Sequence, residues 1–263
     1  MGSGPGLILV PGAMQAAQNF MKLGAFLSDS FTVFILNRRG RSLSGPFAKD
    51  HGIRTELDDL DALLKRTGAQ NVFGLSSGAL ITLQAALTLS SLRKVALYEP
   101  PLVVAGAPSP RAWVPRYEKE IARGNLAGAM VSCIKGVGER GWFLSLPRFL
   151  MVPLMRLAIR TDKKNPKAGD ASLESLIRTV HFDARIVAEL AGTLDKFKAV
   201  SAEVLLLGGA KSTAYLSAAL EALSRVLPNV QRVELSGVGH LAADDTGRPE
   251  LVAKELRRFF AST

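Results

Sequence analysis

The 263-residue chain has a single cysteine, few aromatic residues and no long apolar run. Cys133 is its only cysteine, so no disulfide can form within the chain, and a reducing compartment is expected. No apolar run approaches the ~18 residues that a membrane span needs. The N-terminal stretch GLILV is too short for a signal peptide and has no basic flank. These absences predict a soluble, cytoplasmic protein.

Basic residues exceed acidic ones, with 33 Lys and Arg against 23 Asp and Glu and a net charge of +10. Such a surplus indicates either an anionic partner, such as nucleic acid or a membrane surface, or a basic but otherwise ordinary enzyme surface. The chain contains no nucleic-acid-binding motif, and aromatic residues make up only 6% of it. The enzyme surface is therefore the preferred interpretation, and no nucleic-acid partner is expected.

Short apolar runs alternate along the chain with segments of helical periodicity. Thr55 is a candidate N-cap and Gly68 a candidate C-cap of one such helix. Strands that are apolar throughout and alternate with helices indicate a parallel sheet covered on both faces. The predicted fold class is α/β, with a mainly parallel, doubly wound sheet. Strands are predicted at 6–12, 31–37, 71–75, 94–100, 203–209 and 231–237, and helices at 15–28, 53–67, 77–90, 214–226 and 249–261.

Residues 101–195 break this rhythm, because they contain helical fragments and several prolines but no convincing strand. We interpret them as a helical lid, inserted into a core formed by 1–100 and 196–263, above the strand ends where open α/β sheets bind ligands. The apolar and basic stretch 143–164 predicts a pocket wall or, less favoured, contact with a membrane surface. Five large apolar side chains of this segment are candidate substrate contacts, namely Trp113, Trp142, Phe143, Met151 and Met155. They could equally well serve to pack the lid helices against one another.

The stretch Gly74-Leu75-Ser76-Ser77-Gly78 matches the pattern G-x-S-x-G between a predicted strand and a predicted helix. In that context a central serine stands on a strained turn with its hydroxyl exposed, and the next backbone N–H stabilises an oxyanion. Ser76 is therefore the candidate nucleophile, and Ser77 a candidate oxyanion donor. The alternative is a strand-to-helix turn without chemistry.

A serine nucleophile needs a base within hydrogen-bond reach, and His240 directly follows the last predicted strand in a glycine-rich loop. The other two histidines, His51 and His181, are interpreted as structural. The loop after the first strand supplies the second oxyanion donor in such sites, which makes the N–H of Ala13 a candidate. Met14 is a second candidate for this role and for substrate contact.

Together these motifs make the chain resemble the α/β-hydrolase superfamily. The resemblance rests on LVPGA (9–13), NRRGRSLSG (37–45), GLSSG (74–78), LLLGGAKS (205–212) and GVGHLAA (237–243). It implies the order nucleophile, acid, histidine along the chain. It also implies an N-terminal two-strand hairpin, which we expect to be absent here because the chain starts at the strand predicted for 6–12.

The acid is missing from the position where the superfamily usually carries it. There the sequence reads Gly209-Ala210-Lys211-Ser212, and a serine cannot hold a charge. Glu99, at the end of the strand after the candidate nucleophile, is the alternative, and the chain is locally similar there to zearalenone-type lactone hydrolases. Other interpretations of Glu99 are a strand cap or an ion pair with Arg38 or Arg39. Asp244 and Asp245 are expected to cap the segment after His240.

The resemblance and the ordered residues predict a serine hydrolase that cleaves an apolar ester or lactone through an acyl-enzyme. The alternative is a non-hydrolytic protein of the same fold, such as a lyase, a cyclase or a small-ligand receptor. No cofactor and no metal is expected, since GVGERG (136–141) lacks the strand, helix and acidic residue of a dinucleotide site. A homodimer formed through an open sheet edge is a further hypothesis.

Overall fold

The computed structural model describes residues 1–48, 50–137 and 145–261. Its centre is one sheet of six parallel strands in the order β2-β1-β3-β4-β5-β6, which confirms the predicted fold class. The strands are β1 (Gly6–Val10), β2 (Thr32–Ile35), β3 (Asn71–Leu75), β4 (Lys94–Tyr98), β5 (Glu203–Gly209) and β6 (Val230–Leu235). The core helices are α1 (Met21–Leu27), α2 (Ile53–Thr67), α3 (Ser77–Thr88), α8 (Ala214–Val226) and α9 (Pro249–Ala261).

Alternate side chains of each central strand enter two separate apolar cores. In β1, Ile8 packs with residues of α2, α3 and α8, whereas Leu7 and Leu9 pack with residues of α1 and α9. Strands buried on both faces need apolar side chains on both sides, which explains why their sequences read as continuous apolar runs. Because all six strands are parallel, their carboxyl ends lie along one edge of the sheet, where loops are free to carry polar groups.

The helix-end signals of the sequence were correct at one end of α2 and wrong at the other. Gly68 adopts the left-handed conformation, with φ of 68°, as predicted for a C-cap. Thr55, however, lies inside the first turn, because the helix begins at Ile53. The backbone N–H of Ile53 donates to the Glu189 carboxylate at 2.8 Å, so a distant side chain takes the place of a local cap.

The segment between β4 and β5 contains four helices and no strand among its described residues. They are α4 (Val114–Ala122), α5 (Leu126–Val137), α6 (Arg148–Lys164) and α7 (Leu173–Glu189), followed by a 3₁₀ turn at Leu194–Ala199. Tyr117, Cys133 and Ile177 bring α4, α5 and α7 together in a small apolar core of their own. No helix in the described ranges is both long enough and apolar enough to cross a membrane.

The outer edge of β2 is partly paired by the chain's own first residue. The terminal ammonium of Met1 donates to the Val33 carbonyl at 2.9 Å, and the Val33 N–H donates back to the Met1 carbonyl at 2.8 Å. Pairing of this edge with a second subunit stays a prediction, and a partner strand would first have to displace these two bonds.

Candidate active site

Ser76 stands on a strained turn between β3 and α3. Its φ of 56° and ψ of −121° lie in a region that residues other than glycine rarely adopt. Its N–H donates to the Tyr98 carbonyl at 2.9 Å, which fixes the turn against β4. The described non-glycine residues with positive φ are Met14, Ser42, Ser76 and Glu99, and three of these four lie at this end of the sheet. Backbone strain concentrated at one end of the sheet supports a functional role for that end.

Glycines make the turn possible by letting backbone segments approach closely. A Cβ at Gly78 would lie 2.2 Å from the Val10 carbonyl, and one at Gly74 would lie 2.4 Å from the Gly78 carbonyl. Neither position can therefore hold a larger residue without moving α3 away from the sheet. Ser77 opens α3, so its N–H has no acceptor within the helix and is available to a ligand.

Glu99 and His240 form a buried pair at the ends of β4 and β6. The Glu99 Oε2 atom lies 2.7 Å from His240 Nδ1, and the two residues are only 1% and 4% exposed. The other carboxylate oxygen accepts the Gly209 N–H at 2.6 Å. Both oxygens of Glu99 are thus held, and the carboxylate fixes the imidazole so that Nε2 is directed away from it.

The loop that carries His240 is held by β4 and β5. The Tyr98 hydroxyl donates to the Gly239 carbonyl at 2.7 Å, beside the histidine. A Cβ at Gly209 would lie 2.5 Å from the Val238 carbonyl, so only glycine admits the loop at this distance. The hydroxyl of Ser212, at the position where an acid was expected from the resemblance, is buried without a partner among the described residues.

Asp244, which follows His240, and the two arginines considered as partners of Glu99 have other contacts. Asp244 accepts the Thr246 N–H at 2.9 Å, which agrees with its expected capping role after His240. The two arginines considered as partners of Glu99 instead contact other carboxylates, Arg38 with Glu56 and Asp183 at 2.6 Å each, and Arg39 with Asp59 at 2.6 Å.

A second buried ion cluster contacts the side chain of Ser77, the residue after Ser76. The Asp183 carboxylate, from α7, accepts the Ser77 hydroxyl at 2.7 Å and pairs with Arg38 at 2.6 Å and Arg41 at 2.9 Å. Arg41 also donates to the Gly12 carbonyl at 2.7 Å, in the loop after β1. The cluster therefore connects α7 with both backbone segments that flank Ser76.

The charges of this cluster stabilise one another. Burial alone would raise the pKa of Asp183 and of Glu56, but the neighbouring arginines outweigh it and hold both pKa values below their ordinary range. Burial, together with the nearby Arg38, lowers the pKa of Arg41 to about 10. All of these groups remain charged at neutral pH.

Ser76 and His240 line one cavity of about 290 Å³. The loop after β1 contributes Ala13 and Met14, so the predicted oxyanion donor and the serine face the same space. Burial raises the pKa of the Cys133 thiol to about 12, and this side chain behaves as an apolar wall. The remaining described lining consists of Gln15, Asn19, Leu75, Met130, Ile134, Val137, Leu241, Asp244 and Thr246.

Of the predicted substrate contacts that the structure describes, Met14 alone lines this cavity. Trp113 borders a separate cavity beside Gly136 and donates its indole N–H to the Pro110 carbonyl at 2.9 Å. Met151 is fully buried and Met155 half-buried, and neither belongs to the described lining. Helix α5, rather than α4 or α6, presents its side chains to this cavity, and substrate contact by these three residues stays a prediction. Trp142 and Phe143 lie outside the described residues.

Sequence reasoning missed the wall that α5 provides, although a readable pattern was present. Met130, Cys133, Ile134 and Val137 recur at the i, i+3, i+4, i+7 spacing of one helix face.

The two histidines interpreted as structural lie away from Ser76. His51 is buried, with its Nε2 3.0 Å from Glu56, and His181 lies 3.6 Å from Glu118, so each has a carboxylate partner. The described residues contain no group of three or more side chains suited to holding a metal ion.

Residues 7–255 match the family model described as the alpha/beta hydrolase family. The chain belongs to the alpha/beta hydrolase family. This confirms the superfamily resemblance, whereas the local similarity to zearalenone-type hydrolases stays a prediction.

Several solved structures share this architecture over nearly the whole chain. An alpha/beta hydrolase from Sphaerobacter thermophilus DSM 20745 is 27% identical, with a TM-score of 0.77 over 98% of this chain and 93% of that one. An enol-lactonase from Burkholderia xenovorans LB400 is 19% identical, with a TM-score of 0.71 over 99% and 93%. An E-2-(acetamidomethylene)succinate hydrolase is 20% identical, with a TM-score of 0.63 over 99% and 93%. At 19% and 20% identity, the likeness to the last two structures establishes the fold alone.

Proposed function

We propose that this alpha/beta hydrolase is a serine hydrolase that cleaves a small, uncharged, apolar ester or lactone. The observation that carries the proposal is the 2.7 Å contact between Glu99 and His240 Nδ1, beside a cavity that His240 shares with the strained Ser76. A nucleophile, a base and an orienting carboxylate are the three groups that acyl transfer by serine requires.

The proposed reaction begins with the proton of the Ser76 hydroxyl. Glu99 accepts the Nδ1–H of His240, which leaves Nε2 as the base that takes this proton while Ser76 Oγ attacks the carbonyl carbon. The N–H groups of Ala13 and Ser77 stabilise the resulting oxyanion. His240 then returns the proton to the leaving oxygen, an acyl-enzyme forms, and water releases the acid by the reverse sequence.

The lining of the cavity supports an uncharged substrate. Its described side chains include no lysine or arginine, and the Asp244 carboxylate is occupied by Gln15 and Asn19 at 2.8 and 3.0 Å. A substrate carboxylate would lose its hydration here without gaining a cationic partner, which costs several kcal/mol. A volume of about 290 Å³ suits a small acyl group. We also infer that residues 101–195 form a lid, with α5 as its inner wall.

Labelling with a fluorophosphonate probe tests the mechanism. The wild-type protein and a Ser212→Ala control are expected to be labelled, and Ser76→Ala is expected to be silent. Hydrolysis of p-nitrophenyl esters of increasing acyl length then tests the substrate class, with short and medium apolar chains preferred over acyl groups that carry a carboxylate. Labelling that survives Ser76→Ala would rule the mechanism out. Labelling without turnover of any ester would favour a non-hydrolytic role.

A further inference from the structure

Helix α6 turns apolar side chains toward solvent. Phe149 is 72% exposed, Leu150 46%, Leu154 47% and Leu157 62%. Nine large apolar residues of the described chain are exposed, and these four lie within three turns of a single helix. Scattered exposed leucines need no explanation, whereas a cluster of this kind marks a contact surface.

The four side chains form a continuous stripe along α6. At about 100° per residue they fall within an arc of roughly 140°, and from first to last they extend about 12 Å along the axis. Pro153 is exposed between them, and the fully buried Met151 is on the side that faces the protein. We call Phe149, Leu150, Leu154 and Leu157 the α6 stripe.

Exposed cations occupy the C-terminal half of the same helix. Arg156, Arg160, Lys163 and Lys164 are all exposed, and the one acidic residue of α6, Asp162, accepts the Leu173 N–H at 2.8 Å. These positions border the α6 stripe on the helical wheel or continue it toward the C-terminus. An apolar face edged by basic side chains is the arrangement with which a helix lies in the headgroup region of a membrane.

We propose that α6 docks this protein reversibly on anionic lipid surfaces. The stripe enters the boundary between headgroups and acyl chains, and the four cations contact lipid phosphates. Attraction of basic side chains to an anionic leaflet adds to the apolar contribution of the stripe. The net charge of +10 strengthens the approach of the whole chain to such a surface.

A second copy of the chain is a poorer occupant of the stripe. Two α6 helices packed against each other would bring two sets of four exposed cations together, and Asp162 is the only acidic residue that each helix supplies. Like charges held close at an interface oppose association. An anionic surface neutralises the same cations, so charge complementarity selects the lipid.

The docking face lies one helix away from the cavity. Helix α6 packs against α5, whose Met130 and Ile134 line the space beside Ser76. Binding to lipid and cleavage of a substrate are nevertheless separate properties. An assay of vesicle binding alone therefore has an outcome that does not depend on whether the hydrolase proposal holds.

Flotation with vesicles tests the proposal. The full chain is expected to float with vesicles of two parts phosphatidylcholine and one part phosphatidylglycerol, and to remain unbound with pure phosphatidylcholine. Replacing both Phe149 and Leu157 by serine is expected to weaken binding by at least about tenfold, because two exposed apolar side chains no longer leave water. The matched control is the double change Phe26→Ser and Leu43→Ser, which removes two exposed apolar residues outside α6.

Charge reversal provides the second arm. Arg160→Glu with Lys164→Glu is expected to weaken binding at low salt by at least about tenfold, whereas Arg66→Glu with Arg232→Glu changes the net charge equally at sites outside α6 and leaves most binding intact. Circular dichroism verifies that each variant is folded. The proposal is overturned if the wild-type protein does not bind the anionic vesicles, or if the stripe variant binds them as well as its control does. It is also overturned if sedimentation shows that the wild-type protein is a dimer and the stripe variant a monomer, while the wild-type protein fails to float.

Discussion

Two sets of buried carboxylates lie near Ser76, and they differ in the partner each has. Glu99 is paired with a histidine and with no described arginine, whereas Glu56 and Asp183 are paired with arginines, and Glu56 also contacts His51. An arginine keeps its proton throughout the physiological range, so that cluster is a fixed charge. His240, in contrast, has a second ring nitrogen that faces away from its carboxylate partner and can accept and return a proton. Burial is common to both sets, and in the described part of the chain the permanently charged arginines are present in only one of them.

Their surroundings separate them further. His240 lines the cavity, while the guanidinium of Arg38 is enclosed between the Pro11 carbonyl, the Ser77 hydroxyl and two carboxylates. The arginine cluster is accordingly interpreted as a structural connection that holds the loop after β1 and the start of α3 against α7. Replacing members of each set should therefore change different properties: turnover for one, and the free energy of unfolding for the other.

The largest expected effect is that of Glu99→Gln on turnover. The amide keeps the size of the side chain and can still accept the Gly209 N–H, but it no longer provides a carboxylate to orient and stabilise the imidazolium. We expect kcat to fall by roughly 10⁴-fold, as acid-to-amide replacements in such triads do. The melting temperature should change little. Steady-state hydrolysis of a p-nitrophenyl ester measures the first quantity, and unchanged turnover would exclude Glu99 as the orienting group.

Asp183→Asn is expected to reverse that pattern. Two buried arginines lose a shared anion, and breaking such a pair from one side costs about 3–5 kcal/mol of the free energy of unfolding. Urea denaturation measures the loss. Asp59→Asn is the matched control, because its pair with Arg39 is partly exposed and should contribute at most about 1 kcal/mol. Equal losses in the two variants would contradict the structural importance of the buried cluster.

The same cluster should make stability depend on acid. The pKa of Glu56 is held well below its ordinary value of 4.5, and the pKa of Asp183 below 3.8. A carboxyl group with a depressed pKa binds fewer protons when folded, so its contribution is complete above the ordinary pKa and is lost as the pH falls toward the folded one. We expect the free energy of unfolding to decline below about pH 4.5, and Glu56→Gln to decline less steeply. Denaturation between neutral pH and pH 3 measures both slopes.

The sequence predicts those parts of the molecule whose cause is local. Apolar runs and turn glycines identify the strands, and strand ends carry Ser76, Glu99 and His240. The α5 wall and the contacts of Asp183 depend on how the helices between β4 and β5 pack, and this is decided by contacts between residues far apart in the chain. The type of residue alone does not decide where a side chain lies. The ring of Trp113, predicted as a substrate contact, packs on Tyr117 with ring centroids 5.8 Å apart.

The smallest expected effect is that of Ser212→Ala on turnover and on the free energy of unfolding. Ser212 occupies the position at which the resemblance called for an acid, and its hydroxyl has no hydrogen-bond partner among the described residues. Removing that hydroxyl therefore breaks no observed bond, and kcat and the free energy of unfolding should stay within about twofold and about 0.5 kcal/mol of wild type. Kinetics and urea denaturation on one preparation measure both. A large loss of kcat in this variant would mean that the position still orients His240, and that Glu99 does not hold the imidazole alone.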